Sequence, residues 1–135
     1  MENDIKAAIE FSRDISNLKE PLDAISQVKT RRRSPSVVIH NAAKRSRGSI
    51  VELNPKELEG NFRVNTTALL YLARETIPAM LEAGKGAILV TGNTSATRGI
   101  TNWGFFASTK AAQRILAESI ACLLYTSDAA DDDHC

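Results

Sequence analysis

Two short apolar runs, SVVIH (residues 36–40) and AILV (residues 87–90), flank a long helical pattern, and this arrangement constrains the chain more than any other feature. Runs so short and rich in β-branched residues read as strands buried on both faces, and parallel strands need a crossover between them. The crossover announces its own start. Asn54 can N-cap, Pro55 suits the first helical position, and Glu57 supplies the acid of a capping-box-like arrangement. Leu58, Phe62, Asn65, Leu69 and Leu72 then recur along one helical face, with Pro78 predicted to kink the last turns and Gly84 to cap them. After AILV, a loop rich in Thr, Gly and Asn leads to Trp103. Residues 106–121 then read as a helix with Ala112, Ile115, Leu116 and Ser119 inward. Upstream, residues 8–11 are moderately strand-like and Asp14 falls in a polar turn. From Leu18 the positions Leu22, Ile25 and Val28 keep helical spacing until Pro35, with Lys29 and Arg31 to Arg33 at the negative end of the dipole. The order strand, helix, strand, helix, strand, helix predicts an α/β fold, a parallel sheet with helices on both faces.

Composition narrows the class. At 135 residues one domain is expected, and 43% hydrophobic with 24% charged residues excludes a disordered or collagen-like chain. No apolar run approaches the roughly 20 residues of a membrane span, and MENDIKAAIE lacks a basic-then-apolar leader layout. The expectation is a cytoplasmic protein with no membrane partner. A net charge of +1 gives no electrostatic case for nucleic acid. The basic stretch over residues 29–47, with seven Lys and Arg and no acid, reads as a solvated helix end and loop or, alternatively, as a phosphate-binding surface. The two cysteines, Cys122 and Cys135, lack the spacing of a zinc site.

Both cysteines lie in CLLYTSDAADDDHC (residues 122–135), where four aspartates face no Lys or Arg. This run looks like a translated sequencing adapter, which divides the chain into a native part, residues 1–121, and a non-native tail, residues 122–135. A helix followed by an acidic, solvated tail is the other reading. Without the four aspartates, 12 acids stand against 17 bases, so the remainder is moderately basic.

In open parallel sheets, ligands bind beyond the carboxyl ends of the strands. That rule selects Asp14, HNAA (residues 40–43) and TGNTS (residues 91–95), although all three also serve as ordinary strand-ending turns. His40 ends an apolar strand with no second ligand at metal spacing and reads as a core or rim histidine. Asn65 interrupts an apolar stripe, where an unsatisfied amide would cost roughly 1–3 kcal/mol. It therefore has a partner, either a functional one or a neighbouring backbone. Trp103, Phe105 and Phe106 line a substrate pocket or anchor the loop to the core.

Five segments, Asp14-Ile15-Ser16, VVIHNAA, RVNTTALLYL, GAILVTG and FASTKAA, stand in an order and spacing that resembles the short-chain dehydrogenase/reductase family. The resemblance implies an incomplete Rossmann-type doubly wound sheet, NAD or NADP as cofactor and a small-molecule carbonyl or alcohol as substrate. It also implies a homo-oligomer at full length. It assigns Asp14 to the adenine end of the dinucleotide and Asn41, Ala42 and Ala43 to the loop beneath it. Lys110 serves the cofactor and the reacting centre, and Asn65 supports that lysine through backbone and water.

Departures from the family pattern matter as much. A catalytic tyrosine, with an unperturbed phenol near pKa ~10, depends on the lysine four residues later on the same helical face. Lys110 is present, but Phe106 occupies the tyrosine position. Phenylalanine has no proton to give, and loss of a positioned acid removes about 10²–10⁴-fold of rate. Some family branches resemble this chain in carrying FAxxK. The family serine falls on Asn93, which can still hydrogen-bond a carbonyl, with Thr94 and Ser95 nearby. No TGxxxGxG loop precedes Asp14, and TGNTSATRG (residues 91–99) has Ala96 and Arg98 where glycine is needed. The expectation is therefore a fragment of an oxidoreductase, lacking the cofactor-binding start and the substrate-binding close. The rival is a non-catalytic dinucleotide-binding or interaction protein. Expressed alone, the 135-residue chain is expected to show no dehydrogenase activity and to aggregate through exposed sheet edges. Size-exclusion chromatography showing a monodisperse product that unfolds cooperatively would contradict this.

Overall fold

The computed structural model describes residues 34–125 and, upstream, six helical residues: Lys19, Asp23, Ile25, Ser26, Gln27 and Thr30. The strand-like stretch at residues 8–11, Asp14, Leu22, Val28, Lys29 and Arg31 to Arg33 lie outside the described residues. Strand β1 (Val37–His40) and strand β2 (Ala87–Val90) pair in parallel, from Val37 beside Ala87 to His40 beside Val90. Between them the chain forms α1 (Pro55–Phe62), a wide π turn (Arg63–Thr67) and α2 (Ala68–Glu82). A single 3₁₀ turn (Thr94–Thr97) leads from β2 towards α3 (Gly104–Tyr125). The fold is α/β, an incomplete Rossmann fold.

Local chemistry sets the ends of the crossover. Asn54 Oδ1 accepts the Lys56 N–H at 2.9 Å, and Pro55 opens the helix, where its missing donor costs nothing. At the far end Gly84 takes φ 61°, which glycine adopts without a steric penalty. Its N–H donates to Leu81 O at 3.0 Å while the Lys85 N–H donates to Met80 O at 3.1 Å. This Schellman pair satisfies two of the carbonyls that a helix end leaves open. The exposed Pro78 does not end α2, which continues to Glu82.

Leu69, with no exposed surface, is the largest buried aliphatic side chain; Val64, Ala68, Ala73, Ile77 and Met80 extend its line, and Phe105, Phe106 and Ala107 of α3 complete the core. Two expectations are corrected. The strands are covered on one face only among the described residues: His40 is buried, while Val37, Ile39 and Leu89 are 54%, 64% and 53% exposed. Successive strand residues point to opposite faces, so these three share the open side. On α3 the buried face is Phe106, Thr109, Lys110 and Gln113, whereas Ile115 and Ser119 are exposed. Ala112 and Leu116 are half-buried. The inner face of α3 looks onto the polar loop after β2, so polar residues line it and aliphatic spacing pointed to the wrong side.

In urea denaturation, Leu69→Ala should lower the unfolding free energy by about 2–5 kcal/mol through the cavity it leaves. Asn54→Ala should cost only about 1 kcal/mol, because it removes one exposed cap.

Candidate active site

The carboxyl ends of the two strands are tied together. The Thr91 N–H donates to His40 O at 3.1 Å, and Thr91 Oγ1 donates to Asn41 Oδ1 at 2.7 Å. The remaining Thr91 acceptor, its backbone carbonyl, receives a proton of Lys110 Nζ at 2.6 Å. Gln113 Oε1, one turn further along α3, takes a second. Lys110 is only 3% exposed. Burial, and secondarily the Arg45 guanidinium, hold its ammonium below the usual lysine pKa. Two neutral oxygens therefore carry a buried cation at the point where both strand-ending loops meet.

Asn65 lies in the π turn and has no exposed surface. Its Oδ1 accepts the Lys44 N–H at 2.7 Å and its Nδ2 donates to Lys44 O at 2.9 Å, so one amide pairs with both backbone groups of a single residue. Nδ2 also donates to Thr109 Oγ1 at 2.8 Å. Asn65 thus reaches the helix of Lys110 through the residue preceding that lysine. Its backbone carbonyl lies 3.3 Å from His40 Nε2, within donating distance for the ε tautomer of the imidazole. His40 is 1% exposed, and its pKa is lowered by burial and by Lys110, against the opposing pull of the Asn65 carbonyl.

Phe106 is buried, edge-on to Trp103 at 6.1 Å, with the Arg45 guanidinium 5.6 Å from its ring centre. These residues, with Asn93, Ser95 and Ile100, line a cavity of about 230 Å³. Asn93 caps the 3₁₀ turn: its Oδ1 accepts the Ser95 N–H at 2.9 Å and the Ser95 hydroxyl at 2.6 Å. A second cavity, of about 350 Å³, has Lys110, Gln113 and again Asn93 in its wall. The structure therefore brings Asn41, Lys110 and Asn65 into one hydrogen-bonded region and puts Asn93 and Phe106 beside it. Ala42 is half-buried and Ala43 exposed in the loop after β1; Asp14 lies outside the described residues.

A family model described as "short chain dehydrogenase" matches residues 1–128. The chain belongs to that family. Oxidoreductase asL5 of Sarocladium schorii is 30% identical over 94 residues, 70% of this chain and 38% of that protein. Versicolorin reductase 1 of Aspergillus parasiticus is 33% identical over 76 residues, 56% of this chain and 29% of that protein. Among solved structures, a short-chain dehydrogenase from Streptomyces avermitilis superposes with a TM-score of 0.81 at 22% identity, over 86% of this chain and 43% of that one. A 4-hydroxyisoleucine dehydrogenase complexed with NADH gives 0.80 at 20% identity, over 86% and 52%. The chain thus spans well under half the length of either curated relative.

For a short chain dehydrogenase, the groups around the lysine include some that sequence reasoning did not single out. Gln113 and Thr109 are buried polar residues on the Lys110 face of α3, and their spacing from Lys110 was the available signal. Arg45 falls in the basic stretch over residues 29–47, but nothing in that stretch pointed to Phe106, over which loop geometry brings it. Among the described residues, no group of three or more His, Cys, Asp or Glu is arranged to hold a metal ion. No helix there is long and apolar enough to cross a membrane.

Two outcomes follow from the buried network. With a folded pKa below 6.5, His40 binds fewer protons folded than unfolded, so stability should fall as pH drops below 6.5 and level off beneath the folded value. Thermal unfolding from about pH 5 to 8 should show this slope, flattened in His40→Gln. Asn65→Leu should cost about 1–3 kcal/mol for each Lys44 backbone group it orphans, measured by urea denaturation.

Proposed function

We propose that the chain carries the catalytic-helix portion of an oxidoreductase that transfers hydride between NAD or NADP and a small carbonyl or alcohol. The observation that carries the reading is the Lys110 ammonium held on the Thr91 carbonyl, one hydrogen bond away from Asn41. A lysine ammonium has three protons, and two are used by Thr91 and Gln113. The third is available to an acceptor such as a ribose hydroxyl. The small side chains of Ala42 and Ala43 beside Asn41 leave room for a ligand backbone to approach the strand ends. When bound, the dinucleotide supplies or accepts the hydride. Lys110 orients it and holds positive charge near the reacting oxygen, where preorganised charge is most effective. Asn65 fixes the α3 helix from below through Thr109. Asn93 and Ser95 supply polar contacts to the substrate oxygen. Asp14 is assigned to the adenine end of the dinucleotide.

Support for the oxidoreductase reading comes from family membership and from relatives that include 2-keto-3-deoxy-L-fuconate dehydrogenase of Xanthomonas campestris, 32% identical over 75 residues. Structural neighbours were solved with NADH or NADP. The whole protein is read as a cytoplasmic homo-oligomer, with residues 1–121 as its native Rossmann-like part and residues 122–135 as non-native sequence, whose first four residues prolong α3. A second reading, a non-catalytic dinucleotide-binding protein, is favoured by one observation: Phe106, packed on Trp103 and Arg45, brings no proton to the site.

A chain spanning the relatives' full length separates the two when titrated with NADH and NADPH by fluorescence and assayed on aldehydes and ketones. Binding with slow turnover that rises about 10²-fold or more in Phe106→Tyr is the result expected for a weakened enzyme. Binding without turnover in the parent, gained only in Phe106→Tyr, supports the non-catalytic reading. Absence of dinucleotide binding overturns both. Lys110→Met should weaken dinucleotide binding at least tenfold, since it removes a charged hydrogen-bond donor.

A further inference from the structure

The cavity beside Phe106 is built around a cation without an acid. Arg45 lies with its guanidinium 5.6 Å from the Phe106 ring centre, and Arg47 repeats the arrangement over Trp103 at 5.9 Å. The two rings meet edge to face at 6.1 Å, so each arginine rests on one member of a touching aromatic pair. Among the described residues, no Asp or Glu lines the cavity. One ion pair, Arg114 with Glu118, lies on the exposed side of α3. A guanidinium laid on a ring uses its face for the contact, and its N–H donors point outward from the edge. A tyrosine at position 106 would add a hydroxyl to this wall; phenylalanine leaves the donors uncommitted. The same guanidinium acts on Lys110, whose ammonium it disfavours. Two cations thus bear on one region with no counter-charge among the described residues, and an anionic ligand group would relieve both.

We infer that this cavity, of about 230 Å³, selects a substrate bearing a carboxylate, held in the fork of Arg45 with its carbon chain against Trp103 and Ile100. The planar fork and a carboxylate match in two parallel hydrogen bonds, which gives orientation as well as charge recognition. The inference deepens the proposed reaction by naming its substrate class and rests on that reading for the word substrate. The carboxylate site itself rests on geometry alone.

Trp103 is the one tryptophan of the chain and lines the cavity, so its emission reports occupancy without any turnover. The test is a titration with 2-oxobutanoate and with its uncharged methyl ester, with and without added salt. The carboxylate should change Trp103 emission saturably, at least tenfold more tightly than the ester, with weaker binding at high salt. Arg45→Ala should lose tenfold or more in affinity, and Arg45→Lys should recover part of it, because charge returns without the fork. Arg114→Gln, which removes an equal charge on the exposed side of α3, should leave affinity within about twofold. Equal binding of acid and ester, no emission change with either, or equal losses in Arg45→Ala and Arg114→Gln would each overturn the site. Carboxylate binding without NAD(P)H-dependent turnover would leave the site standing and count against the proposed reaction instead.

Discussion

The amide of Asn65 is the constraint on which the candidate site depends. One side chain, enclosed in the π turn between α1 and α2, pairs with both backbone groups of Lys44 and with the hydroxyl of Thr109. The loop after β1, the crossover helix and the lysine-bearing helix are thereby fixed to one another at a single point. In a medium of low dielectric these bonds are strong, and any one left unmade would be costly. The partners leave little freedom: an acceptor alone, as in aspartate, or an apolar isostere would satisfy only part of the set. The wide turn exposes the asparagine carbonyl as well, and His40 meets it. Backbone irregularity and buried polarity therefore have a common location.

Around that point the charges of the described residues are arranged without acids. Lys110 rests on a carbonyl and an amide oxygen, and Arg45 and Arg47 rest on aromatic rings. Neutral acceptors position a cation while leaving its charge uncompensated, so its field extends to whatever enters the crevice. Carboxylate partners would have cancelled it. The absence of a phenol at position 106 fits the same pattern, because it removes a neutral hydrogen-bonding competitor from the wall beside Arg45.

Much of this was legible in the sequence where local chemistry decides the outcome. Asn54, Pro55 and Gly84 mark the crossover ends by rules that act within a few residues. The β-branched runs located both strands, and parallel pairing followed from the helix between them. Legibility failed where distant segments decide. Nothing local in VVIH states which of its faces a helix will cover, and the exposure of Val37 and Ile39 depends on that. On α3, Ile115 and Leu116 drew the inward face towards the aliphatic side, whereas packing turned Thr109 and Lys110 inward. Thr109 meets Asn65 of the π turn and Lys110 meets the loop after β2, with Gln113 following as the second acceptor of Lys110. Arg45 over Phe106 joins residues far apart in sequence and leaves no periodic trace.

The π turn also changes how the crossover must be numbered as a surface. An α-helix turns about 100° per residue, and a π turn holds one extra residue in its circuit. The α1 and α2 stripes are therefore two stripes in different phase: the buried line of Leu69, Ala73, Ile77 and Met80 in α2 does not continue the phase that Asn61 sets in α1. Removing one residue from Arg63–Thr67 would make a more regular helix and a misaligned one. The half bearing Leu69, Ala73, Ile77 and Met80 would rotate away from the core while the half bearing Asn61 stayed in place. In this stretch the residue count acts as an angular setting, so a change in length would disturb the core more than a substitution at an exposed position.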